Sequence, residues 1–137
     1  MHLNFAFRAD ASTYFEIEVG NLLNLPYENV ATLVGYGKTR EECFLITKWI
    51  PGGDLETRIG DLTWEQVKRI LKGVAYALHM VHRTANTCIL DLKPANILSN
   101  ETTDPILCDF GLATSSKTYI GVDCGTSTYR DLKPGVS

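Results

Sequence analysis

Apolar residues recur at helical spacing in two stretches of the chain, residues 13–25 and 62–82, and each stretch predicts an amphipathic helix. The second is the clearer, because Thr63 and Gln66 have the spacing of a capping box at its start. Its apolar stripe consists of Val67, Ile70, Leu71, Val74, Leu78 and Val81. This stripe is expected to face the main hydrophobic core.

Strands are predicted where shorter apolar runs are bounded by polar turns. Three such runs occupy residues 3–8, 30–36 and 43–49. Two still shorter ones follow the second helix, Asn96-Ile97-Leu98 and Ile106-Leu107-Cys108, and are typical of buried strands. The pattern therefore predicts a domain in which helices and strands are mixed.

Two polar clusters adjoin these last two strands and are the strongest candidates for chemistry. Asp91, Lys93 and Asn96 precede the first strand, and Asp109 follows the second. If the strands are neighbours, Asp91, Asn96 and Asp109 meet at one edge. Two carboxylates and an amide there could reach a divalent metal and a phosphate.

Composition narrows the class of protein. The 137 residues suffice for one hydrophobic core, and 45% hydrophobic with 21% charged residues fits a soluble globular protein. A net charge of -3 offers no basic surface, so nucleic acid is not an expected partner. No apolar run has the length of a membrane span. The four cysteines lack metal-ligand spacing and are expected to be free thiols in a reducing compartment.

The two polar clusters resemble the catalytic and metal-binding loops of protein kinases, which read His-Arg-Asp-Leu-Lys-Pro-x-Asn and then Asp-Phe-Gly. Here Asp91 to Asn96 and Asp109 to Gly111 follow that pattern, with Ile89 and Leu90 in place of the histidine and arginine. The second helix is particularly similar to plant receptor-like kinases and their Pelle and IRAK-type relatives. The resemblance implies a partial two-lobed α+β kinase fold. Residues 1–50 would be the remnant of the small lobe, and residues 51–137, from the hinge to the activation segment, part of the large lobe.

The resemblance also implies roles in phosphoryl transfer from ATP. Asp91 would orient the acceptor hydroxyl, and Lys93 would neutralise charge on the transferred phosphate. Asn96 and Asp109 would hold Mg²⁺ through oxygen atoms. A lysine at position 93 is more similar to serine/threonine kinases than to tyrosine kinases.

The same resemblance implies a nucleotide site. Thr47 would guard the back of the adenine pocket, Lys48 to Ile50 would offer backbone groups to adenine, and Leu98 would lie under the base. Asp54 would accept hydrogen bonds from the ribose, although an N-cap of the following short helix is an equal alternative. Glu18 would pair with a phosphate-gripping lysine, and a solvated helix glutamate is the alternative.

Some features of the family pattern are absent from the sequence. The family pattern has a glycine-rich loop and then a lysine that binds the nucleotide phosphates. Here no lysine precedes Lys38, and Arg8 stands near the position of that lysine. The first glycine is Gly20, so no glycine-rich loop precedes it. The segment from 112 to 129 resembles an activation segment, but no Ala-Pro-Glu follows it.

Three functions are therefore open. The first is part of a serine/threonine kinase acting on protein substrates. The second is a catalytically inactive kinase-like module that binds signalling partners, and the third is a truncated gene product. The expected location is cytoplasmic, including the intracellular part of a receptor-like kinase.

Overall fold

The computed structural model describes residues 3–8, 12–111 and 113–115. Most of residues 112–129, which resemble an activation segment, lies outside these residues. Helices and strands are mixed along the described chain, as the pattern predicts. Their order is β1 (Leu3–Arg8), α1 (Ser12–Asn24), β2 (Leu33–Lys38), β3 (Cys43–Lys48), α2 (Leu55–Arg58), α3 (Trp64–Ala85), β4 (Thr87–Cys88), β5 (Ile97–Ser99), β6 (Pro105–Leu107) and β7 (Thr114–Ser115).

The strands of the described residues form three antiparallel sheets. The largest has the order β1-β3-β2, and β4 pairs with β7 while β5 pairs with β6. Helix α1 covers the large sheet, because Phe15 and Val19 pack against Cys43 and Leu45 of β3. The predicted apolar face of α1 is confirmed by the burial of Phe15, Val19 and Leu22.

Helix α3 begins at the predicted capping box. The Thr63 hydroxyl accepts from the Gln66 backbone N–H, and the Gln66 side chain accepts from the Thr63 N–H at 2.9 Å. Asn86 ends the helix in a left-handed conformation with φ 52°. The predicted stripe is wrong at Leu71, which is 55% exposed. Leu71 lies about 100° around the helix from the buried Ile70, so it turns away from the core.

The main core packs α1 and α3 against the β5–β6 hairpin. One buried cluster contains Leu22 of α1, Leu25 just after that helix, Ile70 and Val74 of α3, and Leu107 of β6. The core therefore connects residues on both sides of position 50.

The strand predicted at 30–36 begins later than expected, at Leu33. The backbone ahead of it is bonded elsewhere: the Ala31 N–H donates to the Leu107 carbonyl at 2.9 Å, and the Leu107 N–H donates to the Asn29 carbonyl at 2.8 Å. This segment therefore pairs with β6 instead of extending β2.

A search for membrane-crossing segments finds no helix of sufficient length and apolarity among the described residues.

Candidate functional site

The β5–β6 hairpin brings the two polar clusters together. Its register pairs Ile97 with Leu107 and Leu98 with Ile106. One residue beyond the ladder, the Cys108 N–H donates to the Asn96 carbonyl at 3.0 Å. Since Asn96 precedes β5 and Asp109 follows Cys108, antiparallel pairing places both polar residues at the same end of the hairpin.

The first polar cluster is held together by side-chain contacts. The Asn96 amide nitrogen donates to the Asp91 carbonyl at 3.0 Å and to its Oδ2 at 3.3 Å. Lys93 Nζ lies 3.0 Å from the same Oδ2, and the Asp91 side chain is only 11% exposed. Because the Asn96 nitrogen is engaged with Asp91, its amide oxygen is the atom of that group that can ligate a cation.

Asp109 has a left-handed backbone conformation, with φ 62°. Aspartate tolerates this region better than most residues, but it persists only where the surroundings fix it. Phe110, the next residue, provides that constraint, because it is 1% exposed in the main core. The turn also brings the Gly111 N–H to 3.4 Å from Asp109 Oδ1.

A cleft of about 330 Å³ lies beside these residues and is lined by residues from several elements. It brings together six of the ten predicted site residues, namely Glu18, Thr47, Asp54, Asn96, Leu98 and Asp109. Asp91 and Lys93 adjoin it through Asn96. Glu18 is 5% exposed, so the alternative of a solvated helix glutamate is wrong.

The segment from Gly52 to Asp54 is pressed against β5. Any side chain at Gly52 would overlap the Ser99 carbonyl, and Gly53 has φ 72°. The Ser99 N–H donates to the Gly53 carbonyl at 3.0 Å, and the backbones of Asp54 and Leu98 form an isolated antiparallel β-bridge. These contacts need two glycines in succession, which explains the Gly-Gly pair ahead of Asp54.

Asp54 serves as an N-cap as well as lining the cleft. Its Oδ1 accepts from the Thr57 backbone N–H at 2.9 Å, at the start of α2. Capping uses one carboxylate oxygen, so the two roles considered for Asp54 are geometrically compatible.

Lys48 and Ile50 do not line this cleft. Both line a second cavity of about 380 Å³, together with Trp49 and Pro51. The Lys48 N–H donates to the Thr32 carbonyl at 3.0 Å. The predicted contacts with adenine concern backbone groups from Lys48 to Ile50. With the Lys48 N–H engaged, the other backbone groups of this segment stay the predicted contacts.

Sequence reasoning missed two polar residues: Cys108, which lines the cleft, and Asn21, whose amide nitrogen donates to the Phe110 carbonyl. Burial raises the pKa of the Cys108 thiol to about 12, and the nearby carboxylates of Asp109, Glu18 and Asp54 add to the shift. The signal for Cys108 was its place directly before Asp109. Asn21 follows Glu18 by three residues, a spacing that puts both on one helix face.

The residues at the cleft fit a hard divalent cation. Asp109 supplies carboxylate oxygens and Asn96 an amide oxygen, the ligand types that Mg²⁺ and Ca²⁺ prefer. In the part of the chain that the structure describes, no cluster of three histidine, cysteine, aspartate or glutamate side chains could hold a metal. A cation bound here would complete its shell with water or phosphate oxygens.

Comparison with known proteins identifies the family. The family profile described as "protein kinase domain" matches residues 6–131. The probable serine/threonine-protein kinase PBL21 of Arabidopsis thaliana is 36% identical over 108 residues, which cover 72% of this chain and 28% of that protein. The L-type lectin-domain containing receptor kinase V.5 of the same plant is 36% identical over 107 residues, covering 72% and 16%.

The chain thus spans less than a third of the length of each of these relatives. The profile, by contrast, covers nearly all of the chain, including both polar clusters and the elements that carry them. A protein kinase domain implies ATP and a divalent metal in general. The α+β architecture and the predicted resemblance are therefore both confirmed: the chain belongs to the protein kinase family and forms part of a kinase domain.

Proposed function

We propose that this chain is part of a serine/threonine kinase that transfers the γ-phosphate of ATP to hydroxyl groups of protein substrates. The single observation that carries the proposal is the cleft that unites Glu18, Asp54, Asn96 and Asp109. These four residues lie far apart in the sequence, and each has a type suited to bind a nucleotide or its metal. The serine/threonine preference rests on Lys93 and on the similarity to PBL21, a probable serine/threonine-protein kinase.

Asp91 and Lys93 are the residues proposed to act on the transferred group. Asp91 accepts the hydrogen bond of the substrate hydroxyl and takes its proton as the oxygen attacks the γ-phosphorus. The bond from that phosphorus to the bridging oxygen breaks, and ADP leaves. Lys93, 3.0 Å from Asp91, neutralises charge on the phosphoryl oxygens.

The remaining residues are proposed to hold the nucleotide. Leu98 lies under adenine, Thr47 closes the back of its pocket, and backbone groups between Lys48 and Ile50 bond its edge. The second Asp54 oxygen accepts from a ribose hydroxyl. Glu18 pairs with a basic side chain and so orients that side chain toward the phosphates.

Magnesium is the cation that we infer for the site. Asn96 and Asp109 would hold it, and it would supply charge neutralisation between the phosphates. Both residues line the cleft, and their oxygens are hard ligands. Because the two residues lie at one end of the β5–β6 hairpin, its pairing sets their separation.

The larger organisation follows from the same proposal. Residues 1–50 would belong to a small lobe and residues 51–137 to a large lobe, with the activation segment in the latter. Protein substrates and signalling partners would bind the complete kinase. A cytoplasmic location is inferred, because ATP and the protein substrates of such kinases are found there.

Calorimetric titration with Mg-ATP tests the proposal. We expect binding that requires magnesium and is weakened in Asp109→Asn, which removes the charge that attracts the cation. Asp91→Asn is the matched control, because Asp91 adjoins the cleft and is proposed to act on the hydroxyl. It should retain nucleotide binding and lose transfer to a serine-containing peptide.

Absence of Mg-ATP binding in the parent chain would contradict the proposal, and so would either of two further results. One is binding of ATP with equal affinity in the presence of magnesium and of a chelator. The other is equal Mg-ATP affinity in Asp109→Asn and the parent chain.

A further inference from the structure

Asn21 connects helix α1 to the loop that carries Asp109. Its amide nitrogen donates to the Phe110 carbonyl and to the Ala113 carbonyl, each at 3.1 Å. These partners lie 89 and 92 residues away in the sequence, and the contacts are partly buried. One side chain therefore ties the turn after Asp109 to a distant helix.

An amide suits this position. Both partners are carbonyl oxygens, so the side chain must supply two N–H donors, and asparagine has two on one nitrogen. Aspartate has the same shape but would place acceptors against acceptors. Leucine has a similar volume but would leave both carbonyls without this donor.

The tied turn is short and closely packed. The Ala113 N–H donates to the Phe110 carbonyl at 3.1 Å, and Phe110 and Ala113 are 1% and 4% exposed. The left-handed conformation of Asp109 directly precedes this turn. A backbone in that conformation needs external constraint, and the bonds from Asn21 add a constraint from α1 to the one that buried Phe110 provides.

Glu18 lies one turn ahead of Asn21 on the same helix, and it lines the same cleft as Asp109. The bonds from Asn21 therefore fix the distance between two elements of the cleft, the helix that bears Glu18 and the loop that bears Asp109. Asn24 provides a contrast on the same helix. Its amide donates to the Gly20 carbonyl within α1 and is exposed.

We propose that Asn21 is a positioning residue that holds the loop of Asp109, Phe110 and Gly111 in the orientation in which Asp109 can ligate a metal. The role of the tie in metal and nucleotide binding rests on the proposed function. The tie itself concerns the loop alone and can be measured without a nucleotide.

Hydrogen–deuterium exchange of the 137-residue chain provides that measurement. In Asn21→Asp and Asn21→Leu we expect amide exchange in residues 108–111 and 113 to accelerate at least several-fold, because the loop loses its anchor. Asn24→Leu should leave this exchange unchanged. The aspartate variant keeps the side-chain shape, so it serves if the leucine variant does not fold.

Mg-ATP titration of the same variants measures the consequence for the site. Removing a group that orients a metal ligand lowers metal affinity by roughly 10- to 100-fold, and we expect a loss of this size in both Asn21 variants. Asn24→Leu should bind Mg-ATP as the parent does.

The outcomes separate this proposal from the proposed function. Unchanged loop exchange in both Asn21 variants would overturn the tie. Faster exchange with unchanged Mg-ATP affinity would overturn its positioning role. Faster exchange in a chain whose parent binds no Mg-ATP would support the tie and refute the proposed function alone.

Discussion

Single residues at this site carry more than one contact, and Asp54 is the clearest example. It caps α2 through one oxygen while lining the cleft. Asn96 likewise bonds Asp91 through its nitrogen, and its oxygen is the atom proposed to ligate a cation. A substitution at such a residue changes folding and binding together, so paired variants are needed to separate the two effects.

Asparagine and alanine at position 54 should separate capping from nucleotide binding. Asparagine is as good an N-cap as aspartate, so Asp54→Asn should keep the parent stability, while Asp54→Ala should lose about 1 kcal/mol. Both variants should bind ATP more weakly and reduce the preference for ATP over its dideoxyribose analogue. Thermal unfolding and calorimetry give the two readouts, and an unchanged preference in both variants would exclude the ribose contact.

Cys108 should make the stability of the chain depend on alkaline pH. Its pKa is raised from 9.0 to about 12, so the folded state holds the thiol proton more tightly than the unfolded state does. This contribution is fully present below pH 9 and is lost as pH rises toward 12, at no more than about 1.4 kcal/mol per pH unit.

Urea unfolding between pH 8 and pH 11 would measure this effect. The fall in unfolding free energy above pH 9 should be less steep in Cys108→Ala than in the parent. Equal slopes in the two proteins would contradict the raised pKa.

At the scale of elements, local sequence signals specified where helices form, and packing decided which substitutions they tolerate. Gly20 and Gly73 both lie inside helices, where glycine is normally unfavourable. Their surroundings differ: a Cβ at Gly20 would meet nothing within 4 Å, whereas a Cβ at Gly73 would overlap the ring of Pro105. Gly73 therefore permits the close approach of α3 and β6.

Alanine substitution should have opposite effects at these two glycines. Gly20→Ala should raise the unfolding free energy by about 0.5–1 kcal/mol, since alanine loses less backbone entropy in a helix. Gly73→Ala should lower it by about 1–3 kcal/mol, because α3 and β6 must separate. Chemical denaturation measures both, and a stabilised Gly73→Ala would show that this approach is not required.

In the part of the chain that the structure describes, the larger of two buried clusters extends from Leu22 to Ala113. Leu25 and Val30 are each 2% exposed and pack in the same core as Ile70, Val81 and Leu107. The backbone of residues 29–31 also bonds to β6. We therefore expect the first helix and the last hairpin to unfold together.

Truncation of Leu25 tests this cooperativity. Leu25→Ala should cost roughly 2–5 kcal/mol and lower amide protection in α3 by the same free energy, although α3 lies far away in sequence. Leu23→Ala is the matched control, because Leu23 is 58% exposed. Unchanged protection of α3 in Leu25→Ala would mean that the chain unfolds in separate parts.

Much of the candidate site was accessible from sequence because its residues cluster locally. Asp91, Lys93 and Asn96 lie within six positions, and the two apolar runs beside them predicted their meeting with Asp109. The capping box at Thr63 was equally local and is confirmed. Leu71 was assigned to the core in error, because six apolar residues fit the helical stripe and only the packed partners reveal which face is covered.

The sequence by itself determined the element types, the capping of α3, the two polar clusters and the family, because each depends on residues close together in the chain. Tertiary structure alone decided that Asn21 bonds the loop after Asp109 and that residues 29–31 pair with β6. It also decided that burial raises the pKa of the Cys108 thiol. These features depend on hydrogen bonds and burial between segments up to 92 residues apart. The spacing of residues along the chain does not show which of these distant segments come into contact in the folded protein.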